Sequence, residues 1–451
     1  MMNNNNERME TYRLLAFSAP YFVTTLVHGP MAGILPTLIV KYYGVEMAAM
    51  STILLFSRMF DGVTDPLIGF LSDRTHSPIG KRKPWIIVGS AIVMIAVYHL
   101  FMPPSTAGIG FFMVWMLLIT LGWTIGDVPY NAWITEITGD SYERTRIQTY
   151  RSAISCLAGF LLAIAPTLPL FETSEMTPEV LRMVGWVIIV ALPPLVFAAL
   201  VLNREGKTVS VREDLSFRDL LNSVKGNRPF RIFVLMFATL GLSLGITSTL
   251  NFLVFDIYLG IGDKFSQIFV PSTIVSFIAL PIWLKIVARI GKNRALAVSA
   301  VLGVVLSLFL PFIEPGPGAF YPFLAITLAQ GLAFGAYGVV PLPMLSDVVD
   351  YDILKTGSNR AGQYLSVLSL LIKFNQAIGG ALAFFLLSLF GFEAANMVQT
   401  KTAVNGLLFT YVAIPFFLGF IAAYLSWRFP IDDRRQKIIR KRIEQRALRS
   451  R

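Results

Sequence analysis

In the stretch FDGVTDPLIGFLSD (60–73), Asp61 and Asp65 stand four residues apart, with Thr64 beside the second and Arg58 one turn before the first. On a helix that spacing stacks both carboxylates on one face. The surrounding residues are apolar enough for a membrane crossing, where a charge at the bilayer centre costs roughly 2.5–3.5 kcal/mol even on the lenient insertion scale. Two adjacent carboxylates also repel each other. An arginine, a proton or a metal cation can hold them there. Arg58 offsets one acid and leaves the other to bind something that comes and goes. A hard cation such as Na⁺ wants oxygen ligands, which two carboxylates and threonine hydroxyls supply. A proton fits as well, and the spacing does not decide between them. The plainer alternative is a fixed Arg58–Asp61 pair that only locks helices.

Two further segments carry polar stripes. In GWTIGDVPYNAW, Thr124, Asp127 and Asn131 fall on one face, and Pro129 frees a backbone carbonyl in the turn before it. Interhelical hydrogen bonding suits Thr124 and Asn131. It suits Asp127 poorly, because a carboxylate is too costly for that role, so Asp127 is the leading candidate to touch substrate. In SVLSLLIKFNQAIGG, Ser366, Ser369, Lys373, Gln376 and Gly380 share a face. Lys373 lies too deep to snorkel and is expected to neutralise one of the acids. Tyr21, Thr24, Thr25 and His28 can line the same cavity, although His28 suits helix packing equally. Trp123, Tyr130, Trp133 and Tyr337 suit packing or stacking on substrate, and Pro341 and Pro343 mark a break, a hinge or gate.

These residues must be positioned by membrane helices. Of 451 residues, 55% are hydrophobic and 14% charged, against about 25% charged in soluble proteins. The apolar runs reach 20 residues or more, enough for a hydrocarbon core about 30 Å thick. The expected fold is an all-α integral membrane protein with about twelve transmembrane helices, near 14–42, 46–72, 84–103, 107–137, 147–170, 181–202, 230–259, 264–290, 294–313, 319–347, 362–391 and 404–428. This gives an N-terminal six-helix bundle (1–203), a cytoplasmic linker (204–229), a C-terminal six-helix bundle (230–430) and a basic cytoplasmic tail (431–451). Within the linker, FRDLLNSVKGNRPFR (217–231) reads as a helix lying on the membrane surface. Lysine and arginine crowd alternate loops and the tail, which places both termini in the cytoplasm. The +11 net charge therefore points to topology and not to nucleic acid. The start lacks the pattern of a removable leader, and the single Cys156 excludes an intramolecular disulfide.

The halves look like copies. GDVPYNAWITEIT (126–138) aligns with GVVPLPMLSDVVD (338–350), matching Glu136 with Asp347, and Gly80-Lys81 matches Gly291-Lys292. Such six-plus-six repeats are the usual build of alternating-access transporters. An intramembrane enzyme would need a nucleophile with a base, or a metal cluster. The chain has one cysteine, three histidines at 28, 76 and 99, and neither G-x-S-x-G nor H-E-x-x-H.

DGVTDPLIGFLSDRTHSPIGKRKPW, GDVPYNAW and SDVVDYDILKTGSNRAGQY followed by Lys373 together resemble the signatures of the glycoside–pentoside–hexuronide:cation symporters, a branch of the major facilitator superfamily. The resemblance runs nearly end to end. It implies the superfamily's six-plus-six pseudo-repeat and Na⁺- or H⁺-coupled uptake of a sugar or glycoside by alternating access. It also implies a cation site at Asp61, Thr64, Asp65 and Thr124, with Asp61 and Asp65 as the metal ligands if Na⁺ is the coupling ion. Asp127 and Arg151 match the family's sugar-contacting positions and Lys373 matches its span-eleven lysine; with Asn131, Gln376 and His28 these are the candidate substrate ligands. Gating charges are expected at Asp73, Arg74, Arg144, Asp347, Asp350 and Arg360. Two positions depart from the family pattern: His28-Gly29-Pro30 replaces a first-span acid, and Asn131 replaces an aromatic residue, which argues against a galactoside. The alternative is a proton-coupled exporter or lysolipid carrier on the same fold. The expected partners are a small molecule and the bilayer, without nucleic acid, for a monomer in a bacterial cytoplasmic (inner) membrane, with no cofactor beyond the coupling ion.

Overall fold

The computed structural model describes residues 9–138, 141–203, 205, 226–357, 360–394, 396 and 399–449; some helical side chains within these ranges, including those of Ser366, Ser369 and Gln376, lie outside the description. Among the described residues all regular backbone is helical, as an apolar solvent demands when it offers no partner to a free N–H or C=O. Twelve helices reach spanning length: α1 (Thr11–Tyr43), α2 (Met47–Arg74), α3 (Lys83–Phe101), α4 (Ile109–Ile137), α5 (Ser141–Ile164), α6 (Pro178–Leu202), α7 (Arg228–Tyr258), α8 (Gly262–Ile290), α9 (Lys292–Phe312), α10 (Pro317–Thr356), α11 (Ala361–Leu389) and α12 (Lys401–Trp427). Eleven are also apolar enough to cross a membrane. The twelfth is α2, which is 28 residues long but carries Arg58, Asp61 and Asp65. The chain divides into two compact units, Met1–Arg212 and Glu213–Arg451.

In the N-terminal unit α4 is the pivot, packed between α2 and α3, while α1 packs on α5 and α6. A methyl group added at Gly89 of α3 would sit 2.7 Å from both the Gly122 carbonyl oxygen and the Gly126 Cα of α4. Only glycine lets these two backbones touch, and that contact seats the turn carrying Asp127. Helix α2 is two-faced. Met59, Val63 and Leu67 lie exposed on one side, while Ser57, Thr64 and Ser72 are buried on the other, which also carries Asp61. Helix α1 widens into a single π turn at Pro30–Ile34, directly after His28-Gly29.

In the C-terminal unit α7 packs on α11 and α12, α9 on α12, and α8 on α10. Helix α10 breaks after Ala333 and again before Pro341, the second at the proline expected to interrupt it. It continues to Thr356, well past the expected end at 347. Hydropathy falls where the charged turns begin, but backbone hydrogen bonding carries on through them. The basic tail forms a further helix, α13 (Asp433–Arg449). Ile431 and Ile439 join the unit's core with Phe230, Trp283 and Phe429, so the tail is a docked element. Residues 217–225 of the expected surface helix lie outside the described residues; α7 starts at Arg228, where the Asn227 side chain accepts from the Phe230 N–H.

Candidate cation and substrate site

Three of the four expected cation ligands converge. The Thr124 hydroxyl of α4 lies 3.3 Å from Asp61 Oδ1 and 3.1 Å from Asp65 Oδ1 on α2. One hydroxyl has one proton, so it donates to one carboxylate or shares between both. Arg58 Nη1 reaches Asp61 Oδ2 at 3.2 Å, so the arginine and the threonine approach opposite oxygens of the same acid. Thr64 is buried one turn along, and its hydroxyl donates to the Phe60 carbonyl at 2.9 Å, leaving its lone pairs for another partner. Two carboxylates and the Thr124 hydroxyl oxygen form a small set of hard oxygen ligands.

Three residues along α4 from Thr124 comes the substrate candidate. Asp127 Oδ2 accepts from the Asn131 amide at 2.7 Å, and Asn131 Oδ1 accepts from Arg151 Nη1 at 2.9 Å and from the Tyr21 hydroxyl at 3.2 Å. Asp127 and Arg151 are thus joined through Asn131, which relays an acceptor on one side and a donor on the other. Arg151 is 1% exposed, and its guanidinium sits 4.3, 4.6 and 5.2 Å from the ring centroids of Tyr21, Tyr130 and Phe17. This aromatic cage repays part of the cation's desolvation. His28 sets its ring edge-on to Trp123 at 4.3 Å between centroids. Beside Asp127 opens a cavity of about 60 Å³ lined also by Thr24, Ser90, Trp123 and Tyr130.

Lys373 lies on α11 in the C-terminal unit with an exposed side chain, and the Gln376 side chain falls outside the described residues. That unit holds a larger cavity, of about 490 Å³, reached by Ser272 and Ser276 of α8, Gln330 and Tyr337 of α10, and Asn375 of α11.

The candidate gating charges are paired within their own units. In the N-terminal unit Arg82, 5% exposed, donates from Nε and Nη2 to Glu136 at 3.0 and 2.9 Å, from Nη1 to Ser72 at 2.9 Å, and pairs with Asp73. Arg74 lays its guanidinium 3.7 Å from the Phe70 ring centre, and Arg144 donates to the Thr138 carbonyl at 3.0 Å. In the C-terminal unit Lys292 pairs with Asp347 and lies 3.7 Å from Asp433 of α13. Asp350 accepts from Gln436 at 2.6 Å and from Arg440 at 3.4 Å, also on α13. Arg360 donates twice to Asp352, at 2.9 and 2.6 Å, and those bonds push its pKa above the usual arginine value.

The internal repeat is visible in these pairs. Lys81 lies 3.4 Å from Glu136, and Lys292 pairs with Asp347, so the residues that align between the halves make the equivalent ion pair in each. The glycine before each lysine takes positive φ, +113° at Gly80 and +85° at Gly291, a conformation other residues avoid. The chain returns after each half with an acid. Glu205, just past α6, accepts the backbone N–H groups of Lys81, Arg82 and Lys83 at 2.7, 2.8 and 3.0 Å, placing a carboxylate at the positive end of α3. Asp433, just past α12, approaches Gly291-Lys292. Neither acid stands out in the sequence, because both sit outside the apolar periodicity. Tyr21 was legible as facing a cavity, but its bond to Arg151 Nη1 at 3.2 Å was not.

A family model for MFS/sugar transport proteins matches residues 17–433. The glucuronide carrier protein homolog of Escherichia coli is 27% identical over 433 residues, covering 91% of this chain and 92% of that protein. The sodium-dependent lysophosphatidylcholine symporter 1-A of Danio rerio is 25% identical over 439 residues, covering 87% of this chain and 81% of that one. The crystal structure of the nucleoside transporter NupG aligns with a TM-score of 0.64 at 13% identity, covering 93% of this chain and 98% of its own, a likeness of fold alone. Given twelve helices of spanning length, paired charges repeated in both halves and a family match over nearly the whole length, the chain belongs to the MFS/sugar transport protein family, in its glycoside–pentoside–hexuronide:cation symporter-like branch, and is an integral membrane transporter, not an enzyme.

Proposed function

We propose that this protein is a secondary active symporter that couples Na⁺ or H⁺ to the uptake of a sugar or glycoside by alternating access. The observation that carries this reading is the placement of Thr124. Its hydroxyl reaches both Asp61 and Asp65, and Asp127 follows three residues later on the same helix. A cation drawn between the two acids reorients Thr124 and, through one turn of α4, bears on the Asp127–Asn131–Arg151 relay that takes the substrate's hydroxyls. Asp61, Asp65, Thr124 and Thr64 hold the cation; Asp127, Asn131 and Arg151 hold the substrate, with His28 and Trp123 as its aromatic wall. Each charge moving down 100 mV supplies about 2.3 kcal/mol for accumulation.

The names of the Escherichia coli and Danio rerio relatives support a sugar cargo and a sodium-coupled mechanism respectively. A lysolipid would need a continuous apolar chamber, and the hydroxyl-lined cavity of the C-terminal unit favours the sugar. The lysine and arginine distribution supports both termini facing the cytoplasm, and the reading takes the membrane to be a bacterial inner membrane and the working unit to be a monomer.

The test is uptake of a labelled sugar panel into membrane vesicles, with Na⁺ and pH gradients imposed separately. Asp127→Asn should abolish substrate binding, and Asp65→Asn should remove the dependence on the cation. Normal accumulation by both variants under the same gradient would falsify the site assignment.

A further inference from the structure

We infer that the free side of the tail helix α13 docks on anionic phospholipid headgroups, with Ile438 seated at the headgroup–acyl boundary and the cations around it on the phosphates. This surface lies apart from the cation and substrate sites, and its role does not depend on the cargo. Helix α13 carries eight lysines and arginines against two acids, and its two sides are used differently. On one side Ile439 and Ile443 pack into the core of the C-terminal unit. On that side too Gln436 and Arg440 bond to Asp350, and Arg446 donates to the Leu354 carbonyl. That side is closed onto α10. At 3.6 residues per turn, Arg434, Ile438, Lys441 and Arg442 share the opposite side, and all four are exposed, Ile438 by 48%.

Arg434, Lys441 and Arg442 stand at i−4, i+3 and i+4 from Ile438, so they are its neighbours on the helix surface. A single exposed isoleucine is ordinary, and a row of cations by itself is a solvated face. An isoleucine flanked by cations is the arrangement of an interfacial helix. Its apolar group enters the boundary while the long basic stems reach back to the phosphates.

The depth of the helix follows from its neighbours. Near the end of α12 the exposed Tyr424 and Trp427 each lie under an arginine, Arg428 at 5.7 Å and Arg294 at 5.6 Å from the ring centres. Aromatic residues collect at headgroup level as anchors. Arg294 belongs to the first turn of α9, and Lys292 of the same turn lies 3.7 Å from Asp433, the first residue of α13. Between them Asn293 donates to the Ile431 carbonyl at 2.8 Å. One turn of α9 therefore holds both the tryptophan anchor and the start of α13, which sets α13 at headgroup depth. Each cation near an anionic surface adds about fivefold to partitioning, so the three around Ile438 add about 100-fold over a zwitterionic surface. An acidic protein would also match the charge, but the flanked isoleucine and the anchorage at headgroup depth favour lipid.

The experiment uses the full-length chain with Cys156→Ser, which removes its one cysteine, and Ile438→Cys, which carries a nitroxide. The labelled protein is placed in nanodiscs of phosphatidylcholine alone or of phosphatidylcholine mixed with phosphatidylglycerol. Electron paramagnetic resonance then reads whether the label meets oxygen dissolved in lipid or a nickel chelate in water. The label should be immersed in the phosphatidylglycerol discs and aqueous in the others. Roughly 1 M NaCl, where the Debye length falls to about 3 Å, should release it. The triple variant Arg434→Gln/Lys441→Gln/Arg442→Gln should partition about 100-fold more weakly and keep the label in water at the lipid composition that immerses the parent. Its thermal unfolding in detergent, matched to the parent, shows that it folds; if it does not fold, the parent's dependence on phosphatidylglycerol and salt decides alone. A label that stays aqueous in the phosphatidylglycerol discs, one immersed equally in both kinds of disc, or one immersed in the folded triple variant as in the parent overturns the inference. Shielding from the chelate by added polyglutamate, without immersion in phosphatidylglycerol, assigns the face to an acidic protein and overturns it as well.

Discussion

Removing the Thr124 hydroxyl separates two roles it could play. In the structure it approaches Asp61 and Asp65 at 3.3 and 3.1 Å and is 2% exposed, so water cannot easily replace it. If its only task is to solvate the carboxylates while the cation is away, Thr124→Ala destabilises the cation-free state and tightens cation binding. If its oxygen also ligates the cation, the variant binds more weakly. A hydrogen bond or ion contact to a charged group is worth about 1.5–3 kcal/mol net, and about 1.4 kcal/mol corresponds to a factor of ten. The cation-ligand reading therefore expects the Na⁺ concentration for half-maximal sugar uptake to rise about 10- to 100-fold in Thr124→Ala. Thr124→Ser keeps the hydroxyl and should stay within about threefold of the parent. The assay is initial-rate uptake into vesicles at fixed membrane potential over a Na⁺ series. An unchanged or lowered half-saturating concentration in Thr124→Ala would refute the ligand role and leave the hydroxyl as a spacer between two acids.

Arg82→Ala should cost about 3–5 kcal/mol, as other broken buried ion pairs do, because Glu136 is 3% exposed and loses its double donor. Adding Glu136→Gln should recover part of the loss in detergent thermal unfolding, and no recovery would show that the pair is not what Arg82 stabilises. Gly89→Ala drives a methyl group into the backbone of α4 and should destabilise by about 1–3 kcal/mol while weakening substrate binding at Asp127. Gly110→Ala, in the exposed first turn of α4, meets nothing within 4 Å and is the control that should not destabilise or weaken binding. Glu205→Ala strips the acceptor from three N–H groups at the start of α3 and should lower stability by about 0.5–2 kcal/mol, the usual cost of a lost helix cap. Glu205→Gln keeps a neutral acceptor and should lose less, read by the same unfolding assay.

The acid pair was legible because lipid makes a charge conspicuous. Asp61 and Asp65 could not belong to α2 without an inward face, and the exposed Met59, Val63 and Leu67 on its other side bear out that logic. The repeat was legible for a similar reason: Gly-Lys recurs at matched offsets, as do Glu136 and Asp347, although that each lysine meets its half's acid came only from the fold. Glu205 and Asp433 were not legible, since an acid outside the apolar runs carries no periodicity and its partner lies more than a hundred residues away in sequence. The polar cavity of the C-terminal unit was equally hidden. Serines and threonines are ordinary in membrane helices, and which way each proton points depends on the local turn.

Length, apolar runs and the spacing of a few charges by themselves determined the helical membrane architecture, the doubled plan and the acids to watch, because those properties are local and the bilayer penalises every exception. Only the packed structure decided that Asn131 stands between Asp127 and Arg151, that Arg82 gathers Asp73 and Glu136, and that hydroxyls and amides of the C-terminal unit line one cavity. Those outcomes depend on contacts between helices remote in sequence, where a few ångströms of approach, such as that at Gly89, select one partner from several of equal chemistry.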